Sequence, residues 1–157
     1  MNNESTHHGS CFCGDVKFTL TGQPEAMAYC HCESCRQWSA SPVSAFTLWK
    51  PSTIKITEGL DKLAGFDKNP ISGDDTIVSN RVWCKTCGGH LYTDHPTMGL
   101  FDIPAAVIKK LKFKPMFHVH YQESVLHMVD NLPKFKDLPK EAGGTGIDLN
   151  EKITQTA

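Results

Sequence analysis

The chain has 157 residues, with sixteen Lys and Arg against seventeen Asp and Glu, 39% hydrophobic and 21% charged residues. That is the size of one domain or a domain with a tail, long enough to bury a core, and the composition excludes a disordered chain. A formal charge of −1 excludes a dedicated nucleic-acid binder and a polybasic membrane anchor, and no apolar run approaches the ~20 residues that span a bilayer.

The first residues, Met1 to Gly9, are polar and lack the apolar stretch of a secretory signal. A cytoplasmic protein with a flexible terminus over residues 1–8 is expected. Val16, Phe18 and Leu20 then alternate with Asp15, Lys17 and Thr19, as in a half-buried strand. Further short runs follow at Met27–Tyr29, Val43–Trp49, Thr53–Thr57, Lys62–Asp67, Thr76–Trp83, His90–Thr93, Met98–Ile103 and Met116–Tyr121. Turn signals separate them: Thr21-Gly22, Lys50-Pro51, Glu58-Gly59, Asn69-Pro70 and Ser72-Gly73-Asp74. The pattern predicts a mainly β domain over residues 9–139, built from short strands. Helix is confined to Arg36–Ala40 and Ala105–Lys110, with Pro104 barring anything longer at the second. Residues 140–157 are polar and glycine-rich, and read as a surface tail. No internal repeat is present.

Cysteines stand at 11, 13, 30, 32, 35, 84 and 87. An odd number cannot all pair internally, and disulfide scaffolds spread their cysteines to close long loops. Here they cluster as C-F-C, C-H-C-E-S-C and C-K-T-C, so that neighbouring sulfurs can converge on one point, as a zinc ion requires. Redox catalysis at Cys84 and Cys87 lacks a βαβ context. The two-ligand units Cys11/Cys13 and Cys84/Cys87 together complete a tetrahedron. Cys30, Cys32 and Cys35 remain as a three-sulfur unit with an open position, where zinc does chemistry. Three other readings stay open for this unit: closure by His31, closure by a distant His or Asp, or no metal. Cys13-Gly14 and Cys87-Gly88 each put a glycine where the backbone must turn tightly beside a ligand.

The segments G-S-C-F-C-G-D-V-K-F (9–18), C-H-C-E-S-C-R (30–36), W-C-K-T-C-G (83–88) and H-V-H-Y (118–121) resemble the glutathione-dependent formaldehyde-activating enzyme family. The resemblance runs from residue 9 to about residue 139, with the cysteine units in the family's order. It implies a β-tent fold of antiparallel sheets stapled by zinc, a structural zinc on Cys11, Cys13, Cys84 and Cys87, and a labile catalytic zinc on Cys30, Cys32 and Cys35. It also implies carbon–sulfur lyase chemistry, forming or cleaving S-hydroxymethylglutathione.

A free thiol is mostly protonated at neutral pH, and a zinc ion carrying three thiolates suits a soft sulfur nucleophile better than water. Glutathione has two carboxylates, for which Arg36 and Arg81 are candidate partners; surface arginines are the plain alternative. Trp38 and Trp49 are pocket-wall candidates, with core packing the favoured reading. His118 and His120 flank Val119 and are expected to share a strand face, either for metal or proton transfer or as its polar side. A zinc-stabilised binding or chaperone-like module is the alternative to an enzyme. A zinc-containing methionine sulfoxide reductase needs a cysteine outside the zinc ligands, and none remains. Small thiols and aldehydes are the expected partners, with no nucleic acid or membrane; oligomeric state is left open.

Overall fold

The computed structural model describes residues 5–68 and 79–150. The turn signals at Asn69-Pro70 and Ser72-Gly73-Asp74, and the start of the Thr76–Trp83 run, lie outside the described residues. The described chain is mainly β, with ten strands, one α-helix and several single 3-10 turns. It divides into two compact units, each discontinuous in sequence. Among the described residues no helix is long and apolar enough to cross a membrane.

The first unit runs through Glu25 and resumes over Thr47–Lys112. Strands β1 (Thr6–Ser10), β2 (Lys17–Thr21) and β5 (Ile54–Glu58) form an antiparallel sheet in the order β1-β2-β5. Strands β6 (Leu63–Asp67), β7 (Asn80–Cys84), β8 (His90–His95) and β9 (Leu100–Pro104) form an antiparallel meander. The alternation around residue 18 has the predicted outcome: Val16, Phe18 and Leu20 are buried with Trp49, Leu91, Ile103 and Ile108, and with Cys11 and Cys84. Each fully buried large side chain in such a cluster contributes about 1.5–3 kcal/mol. Trp49 belongs to this core: its Nε1 donates to Thr47 Oγ1 at 2.8 Å, and that hydroxyl donates to Ile103 O at 2.9 Å.

Strand β1 begins at Thr6, inside the stretch expected to be a flexible terminus. Its sequence THHGS has no apolar alternation to betray it. Pairing with β2, from Thr6↔Thr21 to Ser10↔Lys17, orders it, and Gly9 leaves room for the Phe18 ring, which a Cβ there would strike.

Gly59 opens the 3-10 turn that leads to β6, with φ +74°. A Cβ at this position would overlap the Asp15 carbonyl oxygen. Gly59→Ala therefore combines left-handed strain with a backbone clash, and is expected to cost about 2 kcal/mol or more. Thermal denaturation checks this; an unchanged midpoint would show that the Asp15 loop yields freely.

The second unit comprises Ala26–Phe46 and the chain from Phe113 onward. It holds β3 (Ala26–Cys30), helix α1 (Glu33–Ser39) and β10 (Phe117–Val119). Strand β4 (Ser44–Trp49) begins in this unit and ends in the first. Unlike the expected antiparallel pairings, β10 lies parallel to β3, with His118 opposite Tyr29 and Val119 opposite Cys30. Residues beyond Pro139, expected as a surface tail, return to the 132–138 segment: Lys136 N donates to Ile147 O at 2.7 Å, and Asn150 Nδ2 to Leu132 O at 2.8 Å.

Two sequence expectations need correction. The helix foreseen over Ala105–Lys110 is a single 3-10 turn, Ala105–Val107, launched by Pro104. The strand foreseen over Met116–Tyr121 stops at Val119, because His120 takes the left-handed conformation (φ +53°) and opens a 3-10 turn over Tyr121–Glu123. His118 and His120 consequently share no strand face.

Candidate metal centres and the polar chain behind one of them

The sulfurs of Cys11, Cys13, Cys84 and Cys87 all lie within 4.8 Å of one another. Cys11 and Cys13 are 3.6 Å apart, and Cys13 and Cys84 4.0 Å apart. A zinc ion with ~2.3 Å bonds to four sulfurs sets them about 3.8 Å apart, and the spacing of this donor set is of that order. Two similar turns supply it. In one, Gly14 (φ +85°) donates to Cys11 O and Cys11 N to Val16 O; in the other, Gly88 (φ +70°) donates to Cys84 O and Cys84 N to Gly89 O. These are the two glycines singled out in the sequence, and both take the left-handed conformation.

Backbone amides are aimed at the sulfurs: Val16 N at Cys11 Sγ and Gly89 N at Cys87 Sγ, both 3.3 Å. The amides of Cys13 and Gly89 draw the Cys87 thiol down to about 6. At Cys13 the Asp15 amide acts in the same sense, but burial and the neighbouring thiols of Cys11, Cys87 and Cys84 prevail and push it up to about 12. Four thiolates this close repel one another, and full ionisation calls for a cation among them.

The second cluster lies in the other unit. Cys30 ends β3, Cys32 caps α1 and Cys35 sits in its first turn, so one strand-to-helix junction brings three sulfurs within 4.8 Å. Cys32 Sγ accepts the Cys35 amide at 3.3 Å. The thiols of Cys30 and then Cys35 hydrogen-bond to Cys32 and draw its pKa far down; the same contacts, from Cys32 and then Cys35, drive that of Cys30 up.

Among the described residues, no histidine or carboxylate joins this group, so the set is a three-sulfur one. His31 turns the other way. It is fully buried, and its Nε2 lies 2.9 Å from His118 Nδ1. His118, also fully buried, places Nε2 3.0 Å from Asp130 Oδ2, and Asp130 Oδ1 accepts from the buried Lys134 Nζ at 2.7 Å. Burial first, then His118, brings His31 down to about 4. Burial works against ionisation of Asp130, but Lys134, the Leu132 amide and His118 outweigh it and hold the carboxyl at about 2. Tyr121 closes the group, meeting the His31 ring edge-on at 4.7 Å and the His118 ring at 5.5 Å.

Of the other residues raised from the sequence, Arg36 lies on α1 and donates from Nε to His31 O at 3.0 Å. Arg81 is buried on β7, in the unit of the four-cysteine cluster. Trp38 is half-buried on α1. His120 Nδ1 stands 3.5 Å from Glu123 Oε1, while Glu123 Oε2 receives the Glu33 amide at the start of α1. His118 is neither a cluster ligand nor the polar side of a strand: it is the middle of an internal chain. Asp130 and Lys134 were not foreseen. Their spacing of four residues, in D-N-L-P-K, is the one local signal that could have marked them.

A mainly β chain with one four-thiol and one three-thiol cluster, each able to hold a metal ion, defines a cysteine-based metal-binding class. The family model described as glutathione-dependent formaldehyde-activating enzyme matches residues 6–123, and the chain belongs to that family. It is 28% identical over 86 residues to an uncharacterised lyase of Schizosaccharomyces pombe, covering 55% of this chain and 56% of that protein. It is 34% identical over 95 residues to an Emericella nidulans protein named provisionally as a glutathione-dependent formaldehyde-activating enzyme, covering 57% and 44% respectively. The chain thus spans about half the length of these curated relatives. A crystal structure of a Rhodobacter sphaeroides protein shares the fold, with a TM-score of 0.50 at 16% identity over 67% of this chain and 90% of that one.

Proposed function

We propose that the chain is a zinc-dependent carbon–sulfur lyase that joins glutathione, or a similar small thiol, to formaldehyde and reverses the same reaction. In the reaction the thiol sulfur bonds to the carbonyl carbon, the carbonyl π pair moves to oxygen, and the thiol proton ends on that oxygen. No oxidant or reductant is needed. The observation that supports this reading best is the three-sulfur cluster of Cys30, Cys32 and Cys35, which stands apart from a four-sulfur set that already satisfies one ion. Cys11, Cys13, Cys84 and Cys87 would hold a structural zinc, and Cys30, Cys32 and Cys35 an exchangeable one. Bound there, zinc supplies a Lewis acid softened by three thiolates, suited to keeping a small thiol deprotonated near neutral pH.

The chain's own residues orient the partners. The Cys35 amide donates to Cys32 Sγ at 3.3 Å and tethers that sulfur at the start of α1. Arg36 uses Nε on His31 O, and its guanidinium carries further donors suited to a carboxylate partner. Arg36 is the residue proposed to bind a glutathione carboxylate.

Exchange spectroscopy with carbon-13-labelled formaldehyde and glutathione tests the reaction: interconversion of free and hemithioacetal carbon should be accelerated by the zinc-loaded protein. A rate equal to that of buffer alone would overturn the lyase reading. Arg36→Ala is expected to weaken glutathione binding by about 1–3 kcal/mol, the range for a charge-assisted bond in a desolvated site. Binding of 2-mercaptoethanol, which has no carboxylate, should be unaffected. Equal losses for both thiols would show that Arg36 serves only to fix the His31 carbonyl.

A further inference from the structure

His31 lies between two cluster cysteines and is held on three sides. Its amide donates to Val119 O at 3.1 Å, its carbonyl accepts from Arg36 Nε at 3.0 Å, and its ring meets His118 at 2.9 Å. Pointing the ring inward is what lets Cys30 and Cys32, its neighbours on either side, turn their sulfurs together. The ring is fully buried, and its Nδ1 has no hydrogen-bond partner among the described residues.

The direction of the protons along this chain follows from the last two members. Lys134 has donors only, so Asp130 accepts from it at Oδ1; an ionised carboxylate has acceptors only, so Oδ2 must accept as well. Complete burial keeps both imidazoles neutral, so His118 carries its single proton on Nε2, and its Nδ1 is a lone pair. His31 must in turn donate from Nε2, which leaves its own Nδ1 bare. The ionised Asp130 thus dictates the tautomer of a ring two hydrogen bonds away.

We propose that Asp130, acting through His118, is a positioning residue for the Cys30/Cys32/Cys35 cluster: it fixes the orientation and tautomer of His31 and thereby the loop on which two of the three sulfurs converge. The inference concerns how the cluster is shaped, and it rests on the proposed function only in taking that cluster for the site of the chemistry. Groups that orient a ligand set from behind typically change metal affinity or activity 10- to 100-fold when altered.

Asp130→Asn gives the cleanest test, because an asparagine can keep the shape while reversing the polarity. Its Oδ1 still accepts from Lys134, while its amide now donates to His118 Nε2. His118 must then carry its proton on Nδ1 and face His31 with a donor, so His31 must give up the Nε2 proton or lose the bond. Nitrogen-15 spectra of ring-labelled, zinc-loaded protein read the tautomers directly. The expected wild-type result is a bare Nδ1 and a protonated Nε2 on His31; in Asp130→Asn that pattern reverses or the bond to His118 is lost.

Cobalt(II) titration against a chelator reads the cluster. Its affinity for the three-cysteine site should fall by about 10- to 100-fold in Asp130→Asn, with the four-cysteine site unchanged. A protonated Nδ1 on His31 in the wild-type protein would overturn the proposal without any variant. So would a reversed tautomer in Asp130→Asn with cobalt affinity intact. Neither readout requires turnover, so a protein inactive toward glutathione and formaldehyde but behaving as expected here would sink the proposed function and leave this inference standing.

Discussion

Cys84→Ser will leave most of the chain unfolded at room temperature and lacking the metal of the four-cysteine site. Cys84 ends β7, is fully buried in the core of the first unit, and lies 4.0 Å from the sulfur of Cys13. A serine hydroxyl there cannot replace a thiolate ligand and leaves a buried polar atom beside three thiols that repel one another once ionised. Structural zinc sites contribute about 10–16 kcal/mol of apparent binding energy, against a net domain stability of about 5–15 kcal/mol. Loss of one ligand is therefore comparable to the whole stability. Circular dichroism melting and metal analysis of the purified variant check the outcome; a native melt with full zinc content would remove the structural role from this cluster.

Cys32→Ser should behave in the opposite way: a folded protein with about one metal fewer per chain and no acceleration of the formaldehyde–glutathione exchange. The fold is expected to survive because the ligands of the four-cysteine site lie in the other unit. Helix α1 also survives, since serine is among the best N-cap residues and can accept the Cys35 amide that Cys32 Sγ now accepts. What disappears is one of the three sulfurs that converge at this junction. If Cys32→Ser instead unfolds as Cys84→Ser does, the three-sulfur site is structural, and the lyase reading loses its chemical basis.

The features legible in the sequence were those fixed over short spans. Two ligands separated by one or two residues can hardly avoid converging, so the grouping of the cysteines followed from spacing. The glycines at 14 and 88 followed from the tight turn each cluster needs. Alternation placed Val16, Phe18 and Leu20 in the core. The features that escaped are tertiary. Strand β1 is made of polar residues and is ordered only by its pairing with β2. The parallel match of β10 with β3 joins segments almost ninety residues apart, and no local pattern announces it.

His118 and His120 look equivalent by spacing; one left-handed residue separates their fates, sending His118 into the interior and His120 toward Glu123. The His31–His118–Asp130–Lys134 chain is likewise invisible to periodicity, since the contact at its head spans 87 positions. Buried polar groups find partners wherever the fold brings them, and sequence distance carries no information about that.

The two clusters also differ in when they can assemble. Cys30, Cys32 and Cys35 are all present once the chain has passed residue 35, whereas the four-sulfur set waits for Cys87 and must close a loop of some seventy residues, with the entropy that entails. During synthesis, which delivers the N-terminal part first, the three-cysteine segment can capture an ion before β10, and with it His118, has been made. The four-cysteine set cannot close until the meander arrives. An ion caught early by the local trio would be held without His118 and Asp130 behind it, and so more loosely than in the finished fold.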